Sequence, residues 1–146
     1  MPIEIKNWDD GNGNIIESRG MVTDRELIDS LKTHLAPDQN NFKNYKYILI
    51  DQSELTKLEI SDETVEFISG LIADTSKANP DPIVALVAYA TYGANIEHVN
   101  RISRLHELFI YQSCWETRLF RTKPRAVKWI RERVNDKFGI DDLTFC

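Results

Sequence analysis

The sequence predicts one α/β domain: a mixed sheet of four or five strands, opened by an N-terminal hairpin and flanked by about four helices. Three observations predict it. Two continuous apolar runs, Tyr47 to Ile50 and Ile83 to Tyr89, read as strands covered on both faces, as in the middle of a parallel sheet. Stretches with apolar residues at three- and four-residue spacing alternate with those runs, as helices between strands do. The 146 residues hold no long linker, repeat or low-complexity segment, and a chain of this length buries about two-thirds of its unfolded surface. The whole of 1–146 is therefore one domain, with a core over about 3–135 and a short C-terminal tail.

The elements follow in order. Ile3, Ile5 and Trp8, then Ile15 and Ile16 after a run of Asp, Asn and Gly, predict the hairpin, with Asn12 and Gly13 supplying the positive φ its turn needs. Thr23 and Glu26 form a capping box for a first helix over Thr23 to Leu35, whose stripe is Leu27, Ile28, Leu31 and Leu35 and whose end is set by Pro37. Tyr47 to Ile50 is a short strand closing at Asp51. Ser61 caps a second helix carrying Val65, Ile68, Leu71 and Ile72, which stops before Asn79 and Pro80. After the Ile83 strand, Tyr92 to Asn95 turn the chain into a helix with Ile96, Val99, Ile102, Leu105 and Phe109 inward. Trp115 to Arg121 alternates as a fifth strand with Trp115, Thr117 and Leu119 on one face. Thr122 then caps a last helix with Pro124 in its first turn and Val127, Ile130, Val134 and Phe138 along one stripe. Phe67, Ile68, Leu71, Leu105 and Phe109 are expected to fill the core.

Composition narrows the function classes. With 42% hydrophobic and 28% charged residues and a net charge of -5, the chain fits neither a disordered tail nor a nucleic-acid binder, whose affinity depends on clustered cations. No apolar run is long enough to cross a bilayer, and the first residues lack the basic and apolar regions of a signal peptide, so the expected location is cytoplasmic. Charge is uneven along the chain. Between Arg101 and Arg133 nine cations face three acids, which reads first as solvated helix and strand faces and more sharply as a site for an anion or an acidic partner.

No catalytic constellation, metal knuckle, phosphate loop or nucleophile elbow is found, and no cofactor or metal is expected. Asp10, Asn12 and Asn14 mimic part of a calcium loop, but Ile15 stands where a Gly is needed and Met21 where a Glu is needed. His98 and His106 lie about 80° apart around one helix and two turns apart along it, too far to share an ion. His34 suits a helix end. Cys114 is read as a packed thiol at the entry of strand five, and Trp115 and Trp129 as buried or half-buried.

Two phrases carry a resemblance. The run Tyr47 to Ser53, an apolar strand closing in Asp51-Gln52-Ser53, resembles the strand-and-turn phrase of STAS domains, the anti-sigma-factor-antagonist fold. Trp115 to Ile130, with Leu119-Phe120-Arg121 and then Ala126 followed by Trp129-Ile130, resembles the closing phrase of the SpoIIAA-like branch of the STAS and SEC14-related proteins. The resemblance covers roughly 3–135 and implies a single-domain STAS-like sheet flanked by helices, with no reaction attached. It also implies a test at Ser61, which stands near the phospho-acceptor serine of the better understood antagonists. Here Asp62 and Glu63 replace the small residues of that pattern, so the helix-cap reading of Ser61 ranks ahead of the phospho-acceptor.

Two functions follow. The first is a non-catalytic regulatory or protein-interaction module whose partner surface includes Asp51, Ser53, Asp62 and Glu63. The second, implied by the SEC14 kinship, is a carrier of an apolar or anionic small ligand, with Tyr92, Asn95 and Arg101 near a head group and a cavity of several hundred Å³ beneath the helices. The protein partner is not named by the sequence, and a homodimer could form through a sheet edge or the last helix.

Overall fold

A computed structural model describes residues 3–34, 45–88 and 103–145. Five strands form one sheet in the order β1 (Ile3–Trp8), β2 (Gly13–Thr23), β3 (Tyr47–Glu59), β4 (Ile83–Val87) and β5 (Glu116–Phe120). β1 is antiparallel to β2, and every other pairing is parallel. α1 (Asp24–His34) follows β2, α2 (Asp62–Ala78) follows β3, and α3, described from 103, ends in the π turn Leu108–Gln112. α4 (Lys123–Phe138) follows β5. The mixed α/β sheet with its hairpin and four helices is thus the one the sequence predicts.

Because the parallel strands step in one direction along the sheet, their connecting helices stay on one face. Leu27 and Leu31 of α1, Val65, Ile68 and Ile72 of α2, and Leu105 and Phe109 of α3 pack there against Ile16, Ile48, Ile50, Val84 and Leu86. α4 lies on the opposite face, where Ala126, Ile130 and Val134 meet Ile15, Tyr47, Leu49, Ile83, Ala85 and Val87. The two apolar strand runs are buried on both sides as expected. Phe67, by contrast, is 40% exposed, with the Lys32 ammonium over its ring, and contributes little to the core. Trp115 is buried and donates its indole N–H to the Asn79 carbonyl at 2.8 Å.

Local chemistry sets the element ends. The capping box closes as predicted: Glu26 N–H donates to the Thr23 hydroxyl at 3.4 Å, and the Glu26 carboxylate accepts from Thr23 N–H at 3.2 Å. Thr122 takes the cap position of α4 in an extended conformation without a side-chain cap bond, and Gly139 ends that helix at φ 71°.

The hairpin turn differs from the expected one. Asp9, Asp10 and Gly11 carry the positive φ values, at 53°, 57° and 86°, while Asn12 has an ordinary φ of -73°. Gly13 is required for another reason: a Cβ there would stand 2.0 Å from the Tyr47 ring. The strain at Asp9 is offset by its carboxylate, which accepts from the Tyr47 hydroxyl at 2.5 Å, from Thr144 N–H at 2.7 Å and hydroxyl at 2.8 Å, and from Phe145 N–H at 3.2 Å. Burial pushes the Asp9 pKa up, but these donors together hold it below the usual 3.8. They also fix the tail, which buries Leu143 and Phe145 on the α4 face.

Candidate functional site

β3 is the main departure from expectation. It does not stop at Asp51 but runs on to Glu59, with register shifts against β2 between Glu17 and Arg19 and again between Gly20 and Met21. At each shift β3 holds one residue more than β2, since Glu17 pairs with Asp51 and Arg19 with Glu54, then Gly20 with Leu55 and Met21 with Lys57. Gly20, at φ 62°, sits between the two. β1 pairs no further than Ser18 and β4 no further than Asp51, so the second halves of β2 and β3 leave the sheet as a two-stranded ribbon. Val22, Leu55 and Leu58 bury one side of it, while Met21, Glu54, Thr56 and Lys57 stay exposed.

At the root of the ribbon, level with the ends of β4 and β5, lies a polar cleft of about 210 Å³ lined by Glu17, Ser18, Arg19, Asp51, Ser53, Glu54 and Lys123. The carboxyl ends of parallel strands are the usual binding edge of an α/β sheet. Glu17 is its deepest charge, and its carboxylate meets Arg19 at 2.8 Å and the Lys123 ammonium at 4.0 Å. Arg19 reaches back to Glu54 at 2.8 Å. Lys123, the first residue of α4, also stands 5.5 Å over the Trp8 ring. Asp51 accepts from the Ser53 N–H at 3.0 Å, which ties down the bulge. The cleft is a chain of alternating charges, Lys123, Glu17, Arg19 and Glu54, whose members already hold one another.

The structure brings Asp51 and Ser53 into this cleft but leaves Ser61, Asp62 and Glu63 at the far end of the ribbon. Six residues of strand, Glu54 to Glu59, separate the two groups, roughly 20 Å at 3.3 Å each. Ser61 is the N-cap of α2, with its hydroxyl accepting from Thr64 N–H at 3.3 Å and its N–H donating to the Asp24 carboxylate at 2.8 Å. Asp62 pairs with Arg104 at 2.9 Å, and Glu63 is exposed. Tyr92, Asn95 and Arg101 lie outside the described residues. Cys114 is exposed rather than packed.

Sequence reasoning missed Glu17, Arg19, Glu54 and Lys123 as cleft residues. Glu17 had a readable signal, an acid ending the apolar run Ile15-Ile16. A second missed group is the buried His106, whose Nε2 lies 2.7 Å from Gln52 Oε1. Burial lowers its pKa from 6.5 to about 4. Near it, the apolar cavity bounded by α1, α3 and the sheet is about 20 Å³, room for one water. Among the described residues no group of His, Cys, Asp or Glu could hold a metal, and no helix is long and apolar enough to cross a membrane.

The chain is similar to an uncharacterised protein of the DUF3478 family with a SpoIIAA-like fold from Shewanella loihica PV-4. The two are 21% identical over 88% of this chain and 91% of that one, with a TM-score of 0.49. That likeness is one of fold. No family model and no curated protein matches the chain.

Proposed function

We propose that the protein is a non-catalytic interaction module that binds a protein partner through the charged cleft and the adjoining outer face of the β2–β3 ribbon. The observation that carries this reading is the small apolar cavity between helices and sheet among the described residues. A carrier needs several hundred Å³, whereas the apolar cavity among the described residues is about 20 Å³. The second halves of β2 and β3 form a ribbon that runs past the sheet and presents Met21, Glu54, Thr56 and Lys57 to solvent. Recognition through self-paired charges favours orientation and selectivity over raw affinity, as suits a regulatory contact.

Photo-cross-linking in the native host tests the reading. A photoreactive residue replacing Thr56, exposed on the ribbon, is expected to capture one protein, and the same residue replacing Asp74 on α2 to capture none. Equal yields at both positions, or none at either, would overturn the proposal. Native mass spectrometry of the gently purified chain separates the alternative: a retained mass of a few hundred daltons, lost on denaturation, would move the function to the carrier.

A further inference from the structure

β5 is the last strand of the sheet, and among the described residues nothing pairs with its outer edge. The direction of its backbone groups can be worked out. Ala88 N–H donates to the Phe120 carbonyl at 3.1 Å, so Phe120 turns its main-chain groups inward to β4. Backbone direction alternates along a strand, so Glu116, Arg118 and Phe120 share the inward direction, and Thr117 and Leu119 turn both N–H and C=O outward. Leu119 is 46% exposed on this edge.

Cations surround the edge. Trp129 of α4 packs on Phe120 at 5.4 Å, and Arg133 holds the Glu116 carboxylate at 2.8 and 3.1 Å. The stripe Arg125, Trp129 and Arg133, at four-residue spacing, therefore runs along β5. The one acid of the strand is thus already engaged. Arg118, Arg121, Arg125 and Lys128 are exposed and make no ion pair among the described residues, although Arg118 lies 5.5 Å over the Phe120 ring. Natural edge strands often carry charges to repel other edges. Here those charges have one sign, so they repel a second β5 and attract an acidic strand.

We propose that the outer edge of β5 accepts an extended acidic segment of a partner protein as an added sixth strand. Thr117 and Leu119 supply main-chain hydrogen bonds, and Arg118, Arg121 and Arg125 supply the selection for acids. This surface is separate from the cleft and does not depend on it. A nucleic acid fits less well, because the aromatic planes beside these cations, Phe120 and Trp129, are half-buried and pack against each other.

The test titrates the full chain with a fluorescent peptide of about eight residues alternating Glu and Val, with a matching Lys and Val peptide as control. Expected are amide shifts confined to 116–121 and 125–129 and no binding of the Lys peptide. The double variant Arg121→Glu, Arg125→Glu is expected to weaken binding at least about tenfold. Leu119→Pro removes an outward N–H while leaving the β4 ladder whole, and is expected to weaken it as much. Equal affinity for both peptides, shifts elsewhere, or indifference to both variants would overturn the proposal. So would tight binding to phosphatidylserine vesicles with a silent peptide, or a dimer in sedimentation that the double variant dissolves, which would assign the edge to a membrane or to a second copy.

Discussion

His106 makes the stability of this protein a function of pH in a defined window. Its imidazole is buried against Gln52, and burial disfavours the charged form, so the folded pKa falls to about 4 from 6.5. The unfolded chain, whose His106 titrates near 6.5, therefore binds more protons than the folded chain between those two values. Stability is full above pH 6.5, is lost as pH falls toward 4, and levels off for this group below that. At 1.36 kcal/mol per unit, the loss is about 2 kcal/mol at pH 5 and about 3 kcal/mol at pH 4. Urea unfolding at pH 7.5, 5 and 4 measures it against His106→Gln, in which the amide can still donate to Gln52 but cannot titrate. The wild type is expected to lose about 3 kcal/mol more than the variant on acidification. Parallel curves for the two chains, or a folded-state titration of His106 by NMR near 6.5, would refute the reasoning. Asp9 does not blur the result, because its lowered pKa places its own loss below pH 3.8.

Three further outcomes are expected. Gly13→Ala drives a methyl into the Tyr47 ring at 2.0 Å, so the β2–β3 start must shift, with a loss of about 1–3 kcal/mol or more in denaturant unfolding. Ser61→Ala removes the α2 cap and should cost about 1 kcal/mol in thermal unfolding while leaving the Thr56 cross-link yield unchanged; full stability with lost cross-linking would restore Ser61 to the partner surface. Asp9→Asn weakens an acceptor shared by four donors and leaves two positive-φ residues unsupported, so limited proteolysis should cut within 139–145 earlier than in the wild type.

Those elements whose signals are local were legible in the sequence. Thr23 and Glu26 announce α1, Ser61 announces α2, and the unbroken apolar runs at Tyr47 and Ile83 become strands buried on both faces. Features set by pairing were not. Beyond Asp51, β3 reads as mixed polar sequence because two bulges break its alternation, and the bulges exist only relative to β2. Leu119 shares a predicted strand face with Trp115, yet Trp115 is buried and Leu119 exposed because β5 is an edge. Gly13 reads as a turn glycine, and its role comes from a ring 34 positions away. Two of the seven cleft residues were readable, Asp51 and Ser53. The rest depend on how β2, the bulged part of β3 and the start of α4 are brought alongside, which no spacing encodes.

The same topology that orders the sheet also sorts its charge. α2, on the three-helix face, carries four acids and one cation, while α4, alone on the other face, carries six cations and two acids. The two proposed surfaces therefore differ in how salt acts on them. In the cleft Glu17, Arg19, Glu54 and Lys123 already neutralise one another, so a partner gains little from their net field and added salt removes little. Along β5, Arg118, Arg121, Arg125 and Lys128 lack counter-charges among the described residues, and an acidic strand binds them partly through an exposed field that salt screens within about 10 Å at 0.1 M. Raising salt from about 0.02 M to about 0.5 M should therefore weaken the Glu–Val peptide at least tenfold and leave the Thr56 cross-link yield nearly constant. If the cross-link falls in step with the peptide, the cleft charges cannot be as self-contained as their distances imply, and the two surfaces would have to be read as one.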